Sequence, residues 1–264
     1  MPSVGVKGAT LHYELAGAGP PLLLIQGAGV AGSGWTPQVQ DLSREFQCAW
    51  FDNRGIGRST IDGQTLTIAQ MAGDARALMD AVGWESAHVV GHSMGGLIAP
   101  ELAVRAPGRV RSLALLCTFS RGPEAVRMTP RIFWLGMRTR VGTAPMRRRA
   151  FLEMLFPEVY IRQEGAAQLA ARVGPLIGRD LAENPPIIMR QLGAMRRDNG
   201  ARDLPEVSTL IVSAQEDPIA RPEYGRRLHQ LIAGSRYQEI PNASHGVTIQ
   251  MPERINALLR QQLA

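Results

Sequence analysis

The chain of 264 residues is 45% hydrophobic and 20% charged, which is enough apolar material for one large domain or for a core domain with an insertion. This composition excludes a disordered chain, and the longest apolar runs are far shorter than the roughly 20 residues that cross a bilayer. Because Met1–Thr10 has no apolar stretch typical of a signal peptide, we expect a cytoplasmic protein that does not span a membrane.

The formal net charge of +6 comes mainly from one segment. Residues 121–205 contain 15 arginines and 8 acidic residues, an excess of +7, while Lys7 is the single lysine of the chain. No RNA- or DNA-binding motif accompanies these arginines, so we expect no nucleic-acid partner. We interpret them as a solvated face or, alternatively, as an entrance that attracts anions to a pocket.

Segments typical of strands and of helices alternate along most of the chain, which predicts an α/β fold with a mostly parallel sheet and helices on both faces. The predicted strands are Thr10–Leu15, Pro21–Gln26, Gln47–Asp52, Ala87–His92, Val110–Thr118, Ser208–Ala214 and Arg236–Ile240. Apolar residues at helical spacing predict the helices Thr36–Arg44, Ile68–Val82, Met94–Ala106, Pro222–Ile232 and Val247–Gln262.

The alternation stops between residues 121 and 205, where only helix-like pieces interrupted by Gly and Pro occur. Because this segment is too long for a loop, we predict a helical cap, or lid, at 121–205 on a core domain formed by 1–120 and 206–264. The alternative is a helical subdomain that does not contact substrate. Bulky apolar side chains of the segment, together with one before the first helix, are candidate walls of a substrate pocket: Trp35, Phe133, Trp134, Phe151, Phe156, Met189 and Met195.

The strongest local signal is Gly91-His92-Ser93-Met94-Gly95-Gly96, which lies between a predicted strand and a predicted helix. A turn from strand to helix at one residue strains that residue and lifts its side chain clear of the sheet. The glycines leave room where a Cβ would hit the neighbouring backbone. We therefore predict Ser93 as a nucleophile at a helix N-terminus, where an oxyanion is favoured. The alternative is an N-cap serine.

A serine nucleophile needs a base, and the chain has five histidines. His12 and His88 lie in predicted strands, His92 belongs to the turn itself, and His229 is on the exposed side of a helix. His245 differs because it lies in a loop after the last strand, at the sheet edge where ligands bind in open parallel sheets. His245 is therefore the predicted base.

The base needs a carboxylate to orient it. The predicted strand Ser208–Ala214 runs into Gln215-Glu216-Asp217-Pro218, which puts Asp217 one short turn beyond the strand, at the same edge. We predict Asp217 as the acid, with Glu216 as the alternative. An aspartate before proline is also common in turns that have no catalytic role.

An acyl-transfer site also needs N–H donors for the developing oxyanion. The predicted strand Pro21–Gln26 ends in Gly27-Ala28-Gly29, a loop whose backbone N–H groups are free to face a ligand. We predict the N–H groups of Ala28 and Met94 as the oxyanion hole. The same glycines could equally make a tight turn, and the two interpretations are compatible.

These motifs resemble the α/β-hydrolase superfamily. Ser93, Asp217 and His245 follow its nucleophile, acid, base order along the chain, and Asp52–Ser59 (DNRGIGRS) is similar to its D-x-R-G-x-G-x-S loop. The resemblance covers the chain except for residues 121–205. Within the superfamily the core is most similar to esterases, cofactor-free perhydrolases and enol-lactonases.

The resemblance implies a central eight-stranded sheet with the lid after the sixth strand. In that strand order Cys48 and Cys117 lie three strand spacings apart, about 14 Å, which a disulfide cannot span. Two departures are visible. Gln26-Gly27 stands where the family usually has His-Gly, and the Trp that often follows the base in carbon–carbon bond hydrolases is missing after His245.

Together these observations predict a serine hydrolase that cleaves carboxylic esters of small to medium hydrophobic substrates through an acyl-enzyme. The expected partner is a small ester or lactone; no metal and no organic cofactor is expected, and a homo-oligomer remains open. Alternatives are a lactonase acting on an enol-lactone or similar substrate, a carbon–carbon bond hydrolase on the same triad, and a non-hydrolytic ligand-binding member of the fold.

Overall fold

The computed structural model describes residues 2–63, 66–200 and 204–264. Eight strands form one sheet: β1 (Ser3–Val6), β2 (Ala9–Ala16), β3 (Pro21–Ile25), β4 (Gln47–Phe51), β5 (Ala87–His92), β6 (Val110–Leu116), β7 (Ser208–Ala214) and β8 (Arg236–Ile240). The α-helices of these ranges are α1 (Thr36–Leu42), α2 (Ile68–Ala81), α3 (Gly95–Arg105), α4 (Pro130–Arg138), α5 (Ala144–Leu155), α6 (Glu158–Glu164), α7 (Ala166–Ile177), α8 (Pro186–Arg196), α9 (Pro222–Leu231), α10 (Val247–Gln250) and α11 (Pro252–Leu263).

The strands lie side by side in the order β1-β2-β4-β3-β5-β6-β7-β8. The pairs β1–β2 and β2–β4 are antiparallel, and every pair from β4 to β8 is parallel. The central strands β5, β6 and β7 are almost wholly buried, which explains their continuous apolar sequences. The predicted α/β fold with a mostly parallel sheet is confirmed, and the loops after the parallel strands meet at one edge.

Two elements differ from the prediction. The short edge strand β1 was not predicted, because its four half-exposed residues form no apolar run. The predicted helix Val247–Gln262 is two helices, α10 and α11, separated at Met251. Pro252 causes this break, since proline disfavours the helical conformation for the residue before it, and Met251 has a φ of −135°.

Five α-helices, α4 to α8, lie between β6 and β7, within the predicted insertion. Helices α5, α6 and α7 have an apolar core of their own, whereas α8 packs on the main core through Ile187, Ala194 and Met195. The boundaries 121–205 and the role of a lid stay predictions. We call this segment the helical insertion.

The two cysteines are free and buried. Cys48 lies on β4 and Cys117 lies one residue beyond β6, so three strand spacings separate their strands, as predicted. Among the described residues, no helix has the length and apolar character needed to cross a membrane.

The Asp52–Ser59 loop supports the end of β3. A Cβ at Gly57, whose φ is +55°, would overlap the Asp52 carboxylate, so this position needs glycine for both space and conformation. Next to it, the Asn53 amide donates a hydrogen bond of 3.0 Å to the carbonyl oxygen of Gln26. The glycine at position 57 and the asparagine at position 53 are therefore explained by the packing of this loop and by its contact with β3.

Candidate active site

The turn between β5 and α3 places Ser93 in a left-handed conformation, with a φ of +54°. A Cβ added at Gly91 would overlap the backbone of Gly95, and a Cβ added at Gly95 would overlap the backbone of Ile25. Both glycines are needed for close backbone approach, as the sequence predicted. A serine held in this strained conformation between a strand and a helix has the geometry expected of a nucleophile, and Ser93 is buried.

The next strand holds this turn in place. The N–H of Ser93 donates to the carbonyl oxygen of Leu116 at 2.9 Å. The carbonyl oxygen of Ser93 accepts a hydrogen bond of 2.7 Å from the hydroxyl of Thr118. Because both backbone groups of Ser93 are bound by the β6 end, the position of its side chain is set by the sheet.

His245 and Asp217 form a buried pair. His245 Nδ1 lies 2.7 Å from Asp217 Oδ2, while Asp217 Oδ1 accepts hydrogen bonds from the N–H groups of Ile219 (2.7 Å) and Ala220 (2.8 Å). Donation from Nδ1 leaves Nε2 of a neutral His245 as a proton acceptor. Glu216, the alternative acid, is exposed to solvent. The carboxylate that the structure brings to His245 is therefore that of Asp217.

The three predicted residues follow three parallel strands at the same edge of the sheet. Ser93 comes directly after β5, Asp217 three residues after β7, and His245 five residues after β8. The turn between β5 and α3 contacts the loop after β8 through His92, whose Nε2 donates to the carbonyl oxygen of His245 at 2.9 Å. The same turn also packs against the loop after β3. A Cβ added at Gly27 of that loop would lie 3.0 Å from the Cβ of Ser93.

His92, for which we predicted no role, is a buried imidazole that connects two loops of the site. Burial away from water, together with the neighbouring His245, lowers the pKa of His92 to about 3, so the ring is neutral. Its Nδ1 lies 3.2 Å from Oε1 of Gln26, and the same oxygen accepts the N–H of Gly27 at 2.8 Å. No local pattern indicated the contact with His245, because it joins residues 153 positions apart in the chain.

The predicted oxyanion donors have no acceptor among the described residues. The neighbouring N–H groups in the same loop are occupied: Gly27 donates to Gln26 Oε1, and Gly29 donates to Gln191 Oε1 at 2.8 Å. Between them, the N–H of Ala28 makes no hydrogen bond within the described ranges, and the same holds for the N–H of Met94. The role of these two groups as an oxyanion hole stays a prediction.

The candidate pocket residues do not form one group. Phe133, Trp134 and Met189 are exposed on the surface, Phe151 is partly buried, and Trp35, Phe156 and Met195 are buried. Among the buried ones, Phe156 packs beside the loop that contains His245. Its ring lies 2.8 Å from the position that a Cβ on Gly246 would take. Trp35 packs edge-on against the His92 ring at 6.4 Å. Their role as walls of a substrate pocket stays a prediction.

A cavity of about 720 Å³ lies in the helical insertion between α5 and α7. Its walls include Arg148, Arg149 and Arg179, and none of the seven candidate pocket residues is among them. Among all the described residues, no cluster of three or more His, Cys, Asp or Glu side chains is arranged to hold a metal ion.

The family model of the alpha/beta hydrolase fold matches residues 20–252 of the chain. The chain belongs to the α/β-hydrolase fold family. This α/β-hydrolase is 30% identical over 262 residues to a protein of Azorhizobium caulinodans named as a carbamate hydrolase, RutD, with 98% of this chain and 97% of the relative covered.

Solved structures agree with this assignment. The α/β-hydrolase superposes on the enol-lactonase from Burkholderia xenovorans with a TM-score of 0.82 at 29% identity, over 99% of both chains. It superposes on a hydrolase from Pseudomonas aeruginosa with a TM-score of 0.82 at 25% identity, over 100% of this chain and 98% of the other. The similarity therefore includes the helical insertion as well as the sheet.

Proposed function

We propose that the α/β-hydrolase is a serine hydrolase that cleaves carboxylic esters of small to medium hydrophobic substrates through an acyl-enzyme. The observation that carries this proposal is the 2.7 Å contact between His245 Nδ1 and Asp217 Oδ2, at the sheet edge that also carries the strained Ser93. A buried, hydrogen-bonded carboxylate that fixes the tautomer of a histidine is the arrangement that activates a serine.

The reaction divides into two acyl transfers. Ser93 Oγ attacks the ester carbonyl while His245 Nε2 takes its proton, and the oxyanion accepts hydrogen bonds from the Ala28 and Met94 N–H groups. His245 then protonates the leaving alcohol, and the acyl group stays on Ser93. Water, deprotonated by His245, attacks the acyl-enzyme and releases the acid. Asp217 stabilises the imidazolium in both halves of the cycle.

A lactonase is the second candidate. It is favoured by the similarity to the B. xenovorans enol-lactonase, which extends over 99% of this chain. The chemistry at Ser93 would be the same, because a lactone is a cyclic ester whose leaving alcohol stays attached to the acyl group. The substrate's shape, rather than the catalytic residues, distinguishes the two activities.

A substrate panel tests this proposal. It contains p-nitrophenyl esters of graded acyl length, simple γ- and δ-lactones, and an aryl carbamate, each assayed with the wild type and with Ser93→Ala. We expect turnover of short to medium esters or of lactones, and its loss in Ser93→Ala. Turnover that is equal in the two proteins, or no turnover of any member by a protein that binds them, would contradict a serine hydrolase.

A further inference from the structure

Gln191 is a buried amide of the helical insertion that reaches the loop after β3. It lies on α8 and is 0% exposed, and its Oε1 accepts the N–H of Gly29 at 2.8 Å. That hydrogen bond fixes the orientation of the amide, because the reversed amide would place a donor against a donor. Its Nε2 is then a buried donor without an acceptor among the described residues. A buried donor without a partner is costly and needs an explanation.

Arg179, which follows α7, reaches the same glycine. Its Nη2 lies 3.6 Å from the position that a Cβ on Gly29 would take. Its Nη1 donates to the carbonyl oxygens of Asp180 (3.3 Å) and Glu183 (2.9 Å). Its Nε is buried without an acceptor among the described residues, and the guanidinium hydrogen bonds found within those residues come from Nη1 alone. The guanidinium also lies 5.1 Å from the centre of the Phe151 ring.

The Nε–Nη2 edge of an arginine is the edge that pairs with a carboxylate elsewhere in this protein. Arg148 uses it on Asp180, with distances of 2.8 and 2.6 Å, and Arg226 uses it on Glu239. Such forked pairing is the strongest geometry that arginine offers to a carboxylate. Arg179 has no carboxylate within salt-bridge distance among the described residues, because Asp180 is bound to Arg148.

The charge of Arg179 is held in a poorly solvated place. Burial lowers the pKa of its guanidinium, and the nearby Glu183 and Asp180 oppose this effect. The Asp180 carboxylate is already paired, and Glu183 is exposed to solvent. A partly buried guanidinium whose Nε–Nη2 edge has no carboxylate partner favours the binding of an anion.

We propose that Arg179 and Gln191 form a donor-only subsite that binds a carboxylate carried by the substrate. This inference rests on the proposed function, since it places the subsite beside the loop after β3, which carries a predicted oxyanion donor. Both side chains meet the loop at Gly29, two residues from Gly27, which packs against Ser93. The proposed substrate is therefore an ester or lactone that carries a second, anionic carboxyl group.

Two matched esters test the subsite. Mono-p-nitrophenyl adipate carries a free carboxylate, and p-nitrophenyl methyl adipate is its neutral counterpart of nearly equal shape. The measured quantity is the ratio of kcat/KM for the anionic ester to that for the neutral one, after subtraction of spontaneous hydrolysis. A general loss of activity cancels in this ratio. We expect a ratio above one in the wild type, decreasing with ionic strength.

Two variants remove the donors in different ways. Arg179→Met keeps an apolar stem on Phe151, and we expect the ratio to fall about 10- to 100-fold, the range for a lost hydrogen bond to a charged group. Gln191→Glu retains an acceptor for the Gly29 N–H but adds a negative charge, so the ratio should fall as well. The matched control is Arg172→Met, which removes an exposed arginine of α7 that pairs with Glu164 and should leave the ratio unchanged.

A binding measurement separates the subsite from catalysis. Monomethyl adipate, titrated calorimetrically into Ser93→Ala, should bind at least tenfold more tightly than into Ser93→Ala with Arg179→Met. If both esters are hydrolysed by a Ser93-dependent route but neither Arg179→Met nor Gln191→Glu changes the ratio, the subsite is refuted and the hydrolase stands. If neither ester is hydrolysed yet this binding difference is found, the hydrolase fails and the anion site stands. If Arg179→Met does not fold, the kcat/KM ratio measured for Gln191→Glu decides by itself whether the subsite exists.

Discussion

The imidazole of His92 donates a hydrogen bond of 2.9 Å to the backbone carbonyl oxygen of His245, and the two rings lie 5.0 Å apart. The residue before the candidate nucleophile thus contacts the backbone of the candidate base. Because a neutral ring that donates from Nε2 carries no proton on Nδ1, this hydrogen bond joins the loops after β5 and β8, while Nδ1 lies 3.2 Å from Gln26 Oε1 without donating to it. Rigid support of this kind is what a site needs to keep its reacting groups in register.

The neutrality of His92 predicts a pH-dependent stability. In the unfolded chain a histidine titrates near 6.5, whereas in the fold the pKa of His92 is about 3. Between these values the unfolded state binds more protons, so stability decreases as the pH falls below about 6.5. We expect the contribution of His92 to the free energy of unfolding to drop by about 2 kcal/mol from pH 8 to pH 5.

Urea unfolding of the wild type and of His92→Asn at pH 8 and pH 5 measures this contribution. His12, His88 and His229 are common to both proteins, so their effects cancel in the difference. We expect the wild type to lose more stability than the variant over this range. Equal losses in the two proteins would mean that the ring of His92 is not held neutral.

Ser93→Ala should abolish covalent chemistry. Triad members act as a unit, so kcat should fall by roughly 10⁴-fold or more. A fluorophosphonate probe should label the wild type once, at Ser93, as measured by mass spectrometry of the digested protein. Labelling that persists in Ser93→Ala would place the nucleophile elsewhere.

Asp217→Asn should be far more damaging than Glu216→Gln. Asp217 accepts the Nδ1–H of His245, and an amide at that place favours the wrong tautomer, so kcat should fall by up to about 10⁴-fold near neutral pH. The neighbouring Glu216 is exposed, and its substitution is the matched control. Comparable losses in the two variants, measured with one ester, would argue against an orienting role that belongs to Asp217 alone.

The helical insertion should limit the length of the acyl chain. Each added CH₂ that is buried should raise kcat/KM by at most about fourfold, or about 0.8 kcal/mol, until the space is full. Ile188 of α8 is a candidate wall, because its Cδ1 would lie 2.9 Å from a Cβ on Gly29. Ile188→Ala should therefore move the preferred chain to a longer ester.

The control for this series is Val159→Ala, an exposed apolar residue of α6. Its chain-length profile should match that of the wild type. A flat profile in the wild type, or one that climbs without limit into long-chain triglycerides, would show that the insertion does not select the substrate.

The turn at Ser93 was predictable because its requirements are local. A strand must reverse into a helix at one residue, and the space for that reversal comes from Gly91 and Gly95, within two residues of the serine. The same holds for the buried strands, whose apolar runs are read directly from consecutive residues. The chain order of Ser93, Asp217 and His245 belongs to this class too, since each follows a recognisable strand.

The tertiary structure decided which residues contact these strands and loops. Asp217 and Glu216 are neighbours in the chain, and only the path of the loop after β7 turns one toward His245 and the other toward solvent. Apolar content did not distinguish exposed Phe133 from buried Phe156, because the pattern of a helix shows a stripe but not what covers it. The contact of Gln191 with Gly29 spans 162 positions of the chain. Such contacts depend on how helices pack over the sheet, which no run of neighbouring residues encodes.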